Sequence, residues 1–249
     1  MLPTLQVGPL AVQVPGLVLL VGLWLGLSLA ERHSARRGIN PNTLYNLTLI
    51  GLLAGVVGSR LVYATRYPAA FAASPISLLS LNPGLLDPLG GVAVGLIAAL
   101  IYANRKKLGL WPTLDALTPL LAVMSVAAGL ANLAAGSAFG KPTGLPWGIL
   151  LWGEMRHPAQ IYETLAAIAL LAVLWPARQL FLTWKAGVYF LAFTASSAAV
   201  RLFLEAFRGD SLLTDNGLRV AQLFAWAVLA ISLLAVHRIQ RAPAPAKQD

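Results

Sequence analysis

Seven stretches of this chain are apolar over most of the length needed to cross a bilayer: 10–30, 43–63, 89–104, 113–134, 161–177, 187–207 and 220–236. A hydrocarbon core takes about 20 residues of α-helix to span, so the third and fifth are short. Composition leaves few other folds open. Of 249 residues, 58% are hydrophobic and 11% charged, with a mean hydropathy of +0.73. A soluble domain carries about 25% charged residues, and so apolar a chain lacks the polar groups to cover an exterior in water. It is also far too hydrophobic for disorder. The absence of cysteine excludes a disulfide framework, a thiolate metal site and a cysteine nucleophile. The reading is an all-α, polytopic membrane protein. One transmembrane domain of about seven helices spans 1–236, and a tail over 237–249, with its Ala-Pro repeats, is expected to be disordered.

The chain holds 18 Lys and Arg against 9 Asp and Glu. The basic residues flank apolar stretches instead of forming one stripe, which argues against a nucleic-acid partner and for membrane topology. No basic residue precedes the first stretch, whereas Arg32, Arg36 and Arg37 follow it. The first stretch is therefore a span and not a cleaved signal, with the N-terminus outside and the C-terminus cytoplasmic. This orientation puts Arg32, Arg36, Arg37, Arg105, Lys106, Lys107, Arg178, Lys185, Arg238, Arg241 and Lys247 inside. Arg60, Arg66, Lys141, Arg156, Arg201, Arg208 and Arg219 fall in the outer half, several of them in or beside apolar stretches where topology gives them no reason. The long extracytoplasmic segments lie near 64–88 and 135–160. Their Pro, Gly and Trp suit re-entrant or interfacial structure.

Four polar groups collect on that outer side. Arg60 sits about one turn inside its helix; snorkelling to the headgroups would explain it. Arg201, Glu205 and Arg208 fall at i, i+4 and i+7, one helix face. Arg201 lies about two turns below the expected outer end, where a lone charge is costly; a structural pair with Glu205 would offset part of that. The run Arg156-His157-Pro158-Ala-Gln160-Ile-Tyr162-Glu163 enters the fifth span, with Pro158 suited to a helix start and Glu163 to the positive end of the helix dipole. His157 is the one histidine expected outside, and capping is its ordinary explanation. Asn132, Gly136, Ser137 and Gly140 form a small-residue stretch that permits close helix approach or a sharp turn. Arginine matches phosphate oxygens in a fork. Arginines converging at headgroup depth therefore point to an anionic phospholipid. No metal-ligand spacing and no Ser-His-Asp arrangement is present.

The run Arg156 to Glu163 resembles the signature of bacterial prolipoprotein diacylglyceryl transferases, and so does Arg201-Leu-Phe-Leu-Glu205-Ala-Phe-Arg208 followed by Asp210. Gly58-Ser-Arg60-Leu-Val-Tyr63, Gly90-Gly91 with Gly95-Leu96, and Leu145-Pro146-Trp147-Gly148 follow the family's order as well. The resemblance covers about residues 50 to 210. It implies an enzyme of the bacterial plasma membrane that needs no cofactor. That enzyme moves the diacylglyceryl group of phosphatidylglycerol to the lipobox cysteine of a prelipoprotein signal peptide, forming a thioether as glycerol phosphate leaves.

The resemblance also implies roles. Arg201, Glu205 and His157 are the candidate catalytic residues. Arg201 and Arg60 would hold the phosphate, and Glu205 would fix Arg201 and help accept a proton. His157 and Tyr162 would orient substrate or shape the pocket. Asn132, Gly140, Arg156, Gln160, Glu163 and Arg208 complete the expected substrate site. The chain departs from the family pattern at Leu89, where the family has a histidine, and at Gly129, where it has an arginine. Ala135 and Ser137 replace a second asparagine and a glutamate. Two rivals stay open: a paralogue acting on another lipid or acceptor, and a non-catalytic protein that binds anionic phospholipid or assists membrane assembly.

Overall fold

A computed structural model describes residues 4–7, 10–74, 76 and 86–241. A hairpin of β1 (Thr4–Val7) and β2 (Leu10–Gln13) leads into α1 (Val14–Ser34) and a 3-10 turn, Ala35–Arg37. Then come α2 (Pro41–Arg66), α3 (Pro68–Ala73), α4 (Pro88–Arg105) and α5 (Leu110–Ala135). A second hairpin, β3 (Ile149–Leu151) with β4 (Glu154–Arg156), precedes α6 (Ala159–Val173) and α7 (Gln179–Leu182). The chain ends with α8 (Val188–Leu204), a 3-10 turn over Glu205–Phe207, and α9 (Val220–Arg241).

Six helices are long and apolar enough to cross a membrane, and α6 is a shorter apolar seventh. The protein is a multi-pass membrane protein. Successive long helices run in opposite senses, so the starts of α6 and the ends of α5 and α8 share one face. The ends of α1, α6 and α9 meet the starts of α5 and α8 at the other. The boundaries differ from the sequence expectation in several places. Residues 10–13, expected to begin the first span, form β2, and α1 runs from Val14 to Ser34. The fifth span starts at Ala159 and stops at Val173, because Pro176 follows and disfavours helix before it. The last helix continues through His237 to Arg241, into the stretch expected to be disordered; 242–249 lie outside the described residues. Helix α2 extends three residues beyond Tyr63, to Arg66, and most of 77–88 lies outside the described residues.

The helix starts are written in the sequence. Asn40 caps α2 by accepting from the Asn42 and Thr43 amides, with Pro41 at the first helical position. Asp87 does the same for α4 through Gly90 N at 2.6 Å, and also pairs with Arg66 at 2.5 Å. Small residues set the packing. Gly51 and Gly55 on α2 face Gly91 and Gly95 on α4, and a Cβ on Gly95 would fall 2.7 Å from Gly51 O. Such spacing lets helix backbones touch within a membrane. Helix α1 lies along α5, with Ala30, Leu44, Leu47, Ala116 and Leu120 forming a shared core that α2 joins. Between these pairs runs an apolar cavity of about 650 Å³, lined by Leu23, Leu52, Val92 and Leu117 among others.

Candidate active site

The site forms where α6 begins and α8 ends, and residues 139–142 tie the two together. Lys141 N donates to Phe207 O at 2.8 Å, Gly209 N to Phe139 O at 2.9 Å, and His157 N to Lys141 O at 2.9 Å. Gly140 pairs with Arg208 in a β-bridge and Pro142 with Arg156. A Cβ on Gly140 would overlap His157 O. Gly140, expected to contact substrate, is thus required by a close backbone approach that straps α6 to α8.

Within this frame six charged side chains interlock. Arg201 Nη1 donates to Glu163 Oε1 at 3.0 Å, and its Nη2 lies 2.8 Å from Glu205 Oε2. Arg208 Nη1 donates to the same Glu163 oxygen at 2.8 Å. Arg208 also grips Asp210 with both arms of its fork, at 3.0 and 2.8 Å. Glu205 is buried and accepts from Ser211 Oγ at 2.6 Å. Arg219 Nη1 donates to the backbone oxygens of Glu205 and Arg208 and to Ser211 Oγ. Burial alone would lower the Arg208 guanidinium, but the hydrogen bonds and charges of Glu163 and Asp210 outweigh it and hold it above its ordinary value. Arg208 is a fixed cation.

The two arginines differ in what they leave open. The Arg208 side chain is 11% exposed, whereas Arg201 is 37% exposed. Arg201 lines two cavities. One, about 310 Å³, runs between α5, α6 and α8 past Asn132, Glu163 and Ser197. The other, about 780 Å³ and nearly all apolar, is an open groove between α5, α8 and α9 past Phe190, Phe224 and Val228. A guanidinium held by two carboxylates, with apolar space on either side, can receive a phosphate whose hydrocarbon chains lie alongside. Among the described residues no group of three or more His, Asp or Glu is placed to hold a metal ion.

Arg201, Glu205 and Arg208 do not share one helix face. Helix α8 ends at Leu204, so Arg201 lies in its last turn, where the helix dipole favours a cation. Arg208 follows the 3-10 turn in extended backbone. It meets Glu205 only at 3.9 Å and reaches the cluster through Glu163.

Other expected residues go elsewhere. Arg156 is spent locally: on Glu154 at 2.5 Å, on Leu151 O and Gly140 O, and over the Phe139 ring. It braces the β3–β4 hairpin and does not join Arg201. Gln160 is buried and donates to Ser137 O at 2.8 Å, and Asn132 Oδ1 accepts from Ser137 Oγ at 3.2 Å. Asn132 still faces the smaller cavity. His157 Nδ1 lies 3.4 Å from Tyr162 OH, which accepts from Trp147 Nε1 at 2.8 Å. The His157 ring also meets Phe207 edge-on, at 5.3 Å. His157 is therefore in an aromatic stack and does not line the cavities at Arg201. Arg60 is buried on α2, more than a turn inside the helix end, so its side chain turns into protein and does not snorkel. It too is absent from the linings of the Arg201 cavities.

The two departures from the family pattern have distinct structural consequences. A Cβ on Gly129 would overlap Thr164 Oγ1, so the glycine lets α5 and α6 approach closely where it lines the smaller cavity. Leu89, in the first turn of α4, is 79% exposed. Neither supplies a polar group to Arg201.

Arg219 and Ser211 join the network without a signal in the sequence pattern. Their neighbours are turn residues, and no helical period links them to Glu205. Asp115, not among the expected site residues, did carry one: a carboxylate inside the apolar stretch 113–134.

The family model for prolipoprotein diacylglyceryl transferase matches residues 3–238. Three relatives carry the name phosphatidylglycerol–prolipoprotein diacylglyceryl transferase. The protein of Synechococcus elongatus is 30% identical over 247 residues, covering 93% of this chain and 85% of its own. That of a Nostoc species is 27% identical over 256 residues, covering 96% and 90%. That of Bordetella parapertussis is 33% identical over 180 residues, covering 69% of each.

Proposed function

The chain belongs to the prolipoprotein diacylglyceryl transferase family, and on that premise we propose that it transfers the diacylglyceryl group of phosphatidylglycerol to the thiol of a prelipoprotein's lipobox cysteine. A sulfur–carbon bond forms as the glycerol carbon–oxygen bond to phosphate breaks. The thiol proton ends on the departing phosphate monoester, so atoms and charge balance. The protein works in the bacterial plasma membrane, with the α6-start and α8-end face outside.

The observation that carries this reading is the half-open Arg201, fixed by Glu163 and Glu205 between two cavities. Charge grows on the phosphate as it leaves, and preorganised donors in a water-poor site stabilise growing charge without having to reorient. Arg201 touches that phosphate. Glu163 and Glu205 position Arg201, and Arg208 holds Glu163. Asn132 supplies the neutral polar contact in the smaller cavity, and the larger, apolar cavity accepts hydrocarbon. His157, Tyr162 and Trp147 position the start of α6, and Gln160 and Gly140 fix its strap.

The test is a mass-shift assay with purified protein, phosphatidylglycerol vesicles and a lipobox-cysteine peptide. A diacylglyceryl adduct on the peptide is expected. Lipid binding with no adduct, beside an active relative as control, would replace this reading with a binding role or another acceptor.

A further inference from the structure

At the end of α8 remote from Arg201, a second buried cluster holds the helix start. Asp115 on α5 is buried and accepts two amide protons from α8's first turn. Gly187 N donates to its Oδ2 at 2.8 Å, and Phe190 N to its Oδ1 at 2.8 Å. Helix starts leave such amides without intrahelical partners. The usual cap is the preceding side chain, but that residue is Gly187, at φ 92°, and has none. The cap comes instead from another helix. Arg37, after α1, lies 3.6 Å from Asp115 Oδ2 and stacks over the Tyr189 ring at 5.0 Å. Tyr189 OH donates to Leu174 O at 2.6 Å, tying α8 to the end of α6. The small void at this cluster is about 10 Å³, too small for a substrate.

We propose that Asp115 is a positioning residue: by capping α8 from α5 it sets the axial register of α8 and so holds Arg201 against Glu163. From Gly187 to Arg201 the helix rises about 21 Å. A helix is stiff along its axis, so a slip at one end moves the other. The 139–142 strap pins the chain just after α8 to the start of α6, so a slip at the capped end is taken up between cap and pin, in the segment that carries Arg201. Helix shifts of about 1–2 Å occur when interface contacts change, and about 1 Å of misplacement can cost about 100-fold in rate. The inference rests on the transferase reading for its catalytic consequence and on the geometry alone for its structural one.

The test reads both. The chain has no cysteine of its own, so spin labels go on introduced cysteines at Leu165 of α6 and Ala199 of α8, both exposed to lipid. In Asp115→Asn the Leu165–Ala199 distance distribution is expected to shift or broaden by about 1–2 Å. The kcat of the folded fraction falls about tenfold or more, while KM for phosphatidylglycerol changes less than about twofold. Tyr189→Phe leaves the cap and removes only the tie to Leu174, and should give a smaller change of the same kind. If Asp115→Asn does not fold, Asp115→Glu, which keeps the charge but displaces the carboxylate by one methylene, carries the test. An unchanged distance distribution in the folded variants would overturn the proposal, even if stability drops. If the labelled parent protein forms no adduct, a changed distribution in Asp115→Asn leaves the positioning role standing and removes the transferase reading instead.

Discussion

The two ends of α8 carry ionic clusters of opposite design. At its start, Asp115 is closed in by Arg37, Tyr189 and two backbone amides, around a void of about 10 Å³. At its end, Arg201 is held by Glu163 and Glu205 yet keeps a third of its side chain open to cavities of about 310 and 780 Å³. Charge within a membrane protein is costly and is retained for a reason. Exposure separates the reasons here. A charge whose every partner is protein holds geometry, while a charge left part-open to an apolar cavity is available to a ligand.

Glu163→Gln tests this contrast most severely after Arg201 itself. It weakens the bridge between Arg201 and Arg208, and charge-assisted hydrogen bonds are worth about 1.5–3 kcal/mol. The expected loss is about 10- to 100-fold in the rate of adduct formation, with little change in thermal midpoint because both arginines keep a second partner. Equal loss of activity and of folded protein would make the bridge structural.

Gly129→Ala should show the reverse pattern. Its Cβ would overlap Thr164 Oγ1, and overpacking costs about 1–3 kcal/mol. The thermal midpoint in detergent should fall, with the rate of the remaining folded protein only modestly lower. A stabilised variant would show that α5 and α6 are less close than described.

His157→Gln should have the smallest effect. The ring sits against Phe207 and Tyr162, outside the linings of the Arg201 cavities. The rate should fall less than about tenfold, below what loss of a general base brings, and its pH profile should keep its shape. A lost limb in that profile would return His157 to the chemistry.

The membrane architecture was legible because apolar stretches of span length have few alternatives, and the caps at Asn40 and Asp87 follow local rules. The Arg201–Glu205 pair was legible because the two are four apart in sequence, whereas the bridge that Glu163 makes from α6 to Arg201 and Arg208 was not. What was not legible depends on where the chain turns. Arg208 leaves the helix face at a 3-10 turn, and Arg219 reaches Glu205 from a loop beyond it. Arg156 is consumed by its own hairpin, which no helical spacing foretells. Arg60 had looked like a snorkelling residue because its helix was expected to end sooner than it does. Asp115 was visible as a buried carboxylate, but its partners, two amides 72 and 75 residues away, were not.

The central claim is that Arg201 holds the departing phosphate. Its most direct test is the single-turnover rate of peptide adduct formation from phosphatidylglycerol by Arg201→Ala protein that elutes and melts like the wild type. Loss of about 100- to 1,000-fold, the scale for removing a preorganised donor, is the result predicted. Adduct formation at the wild-type rate would contradict it.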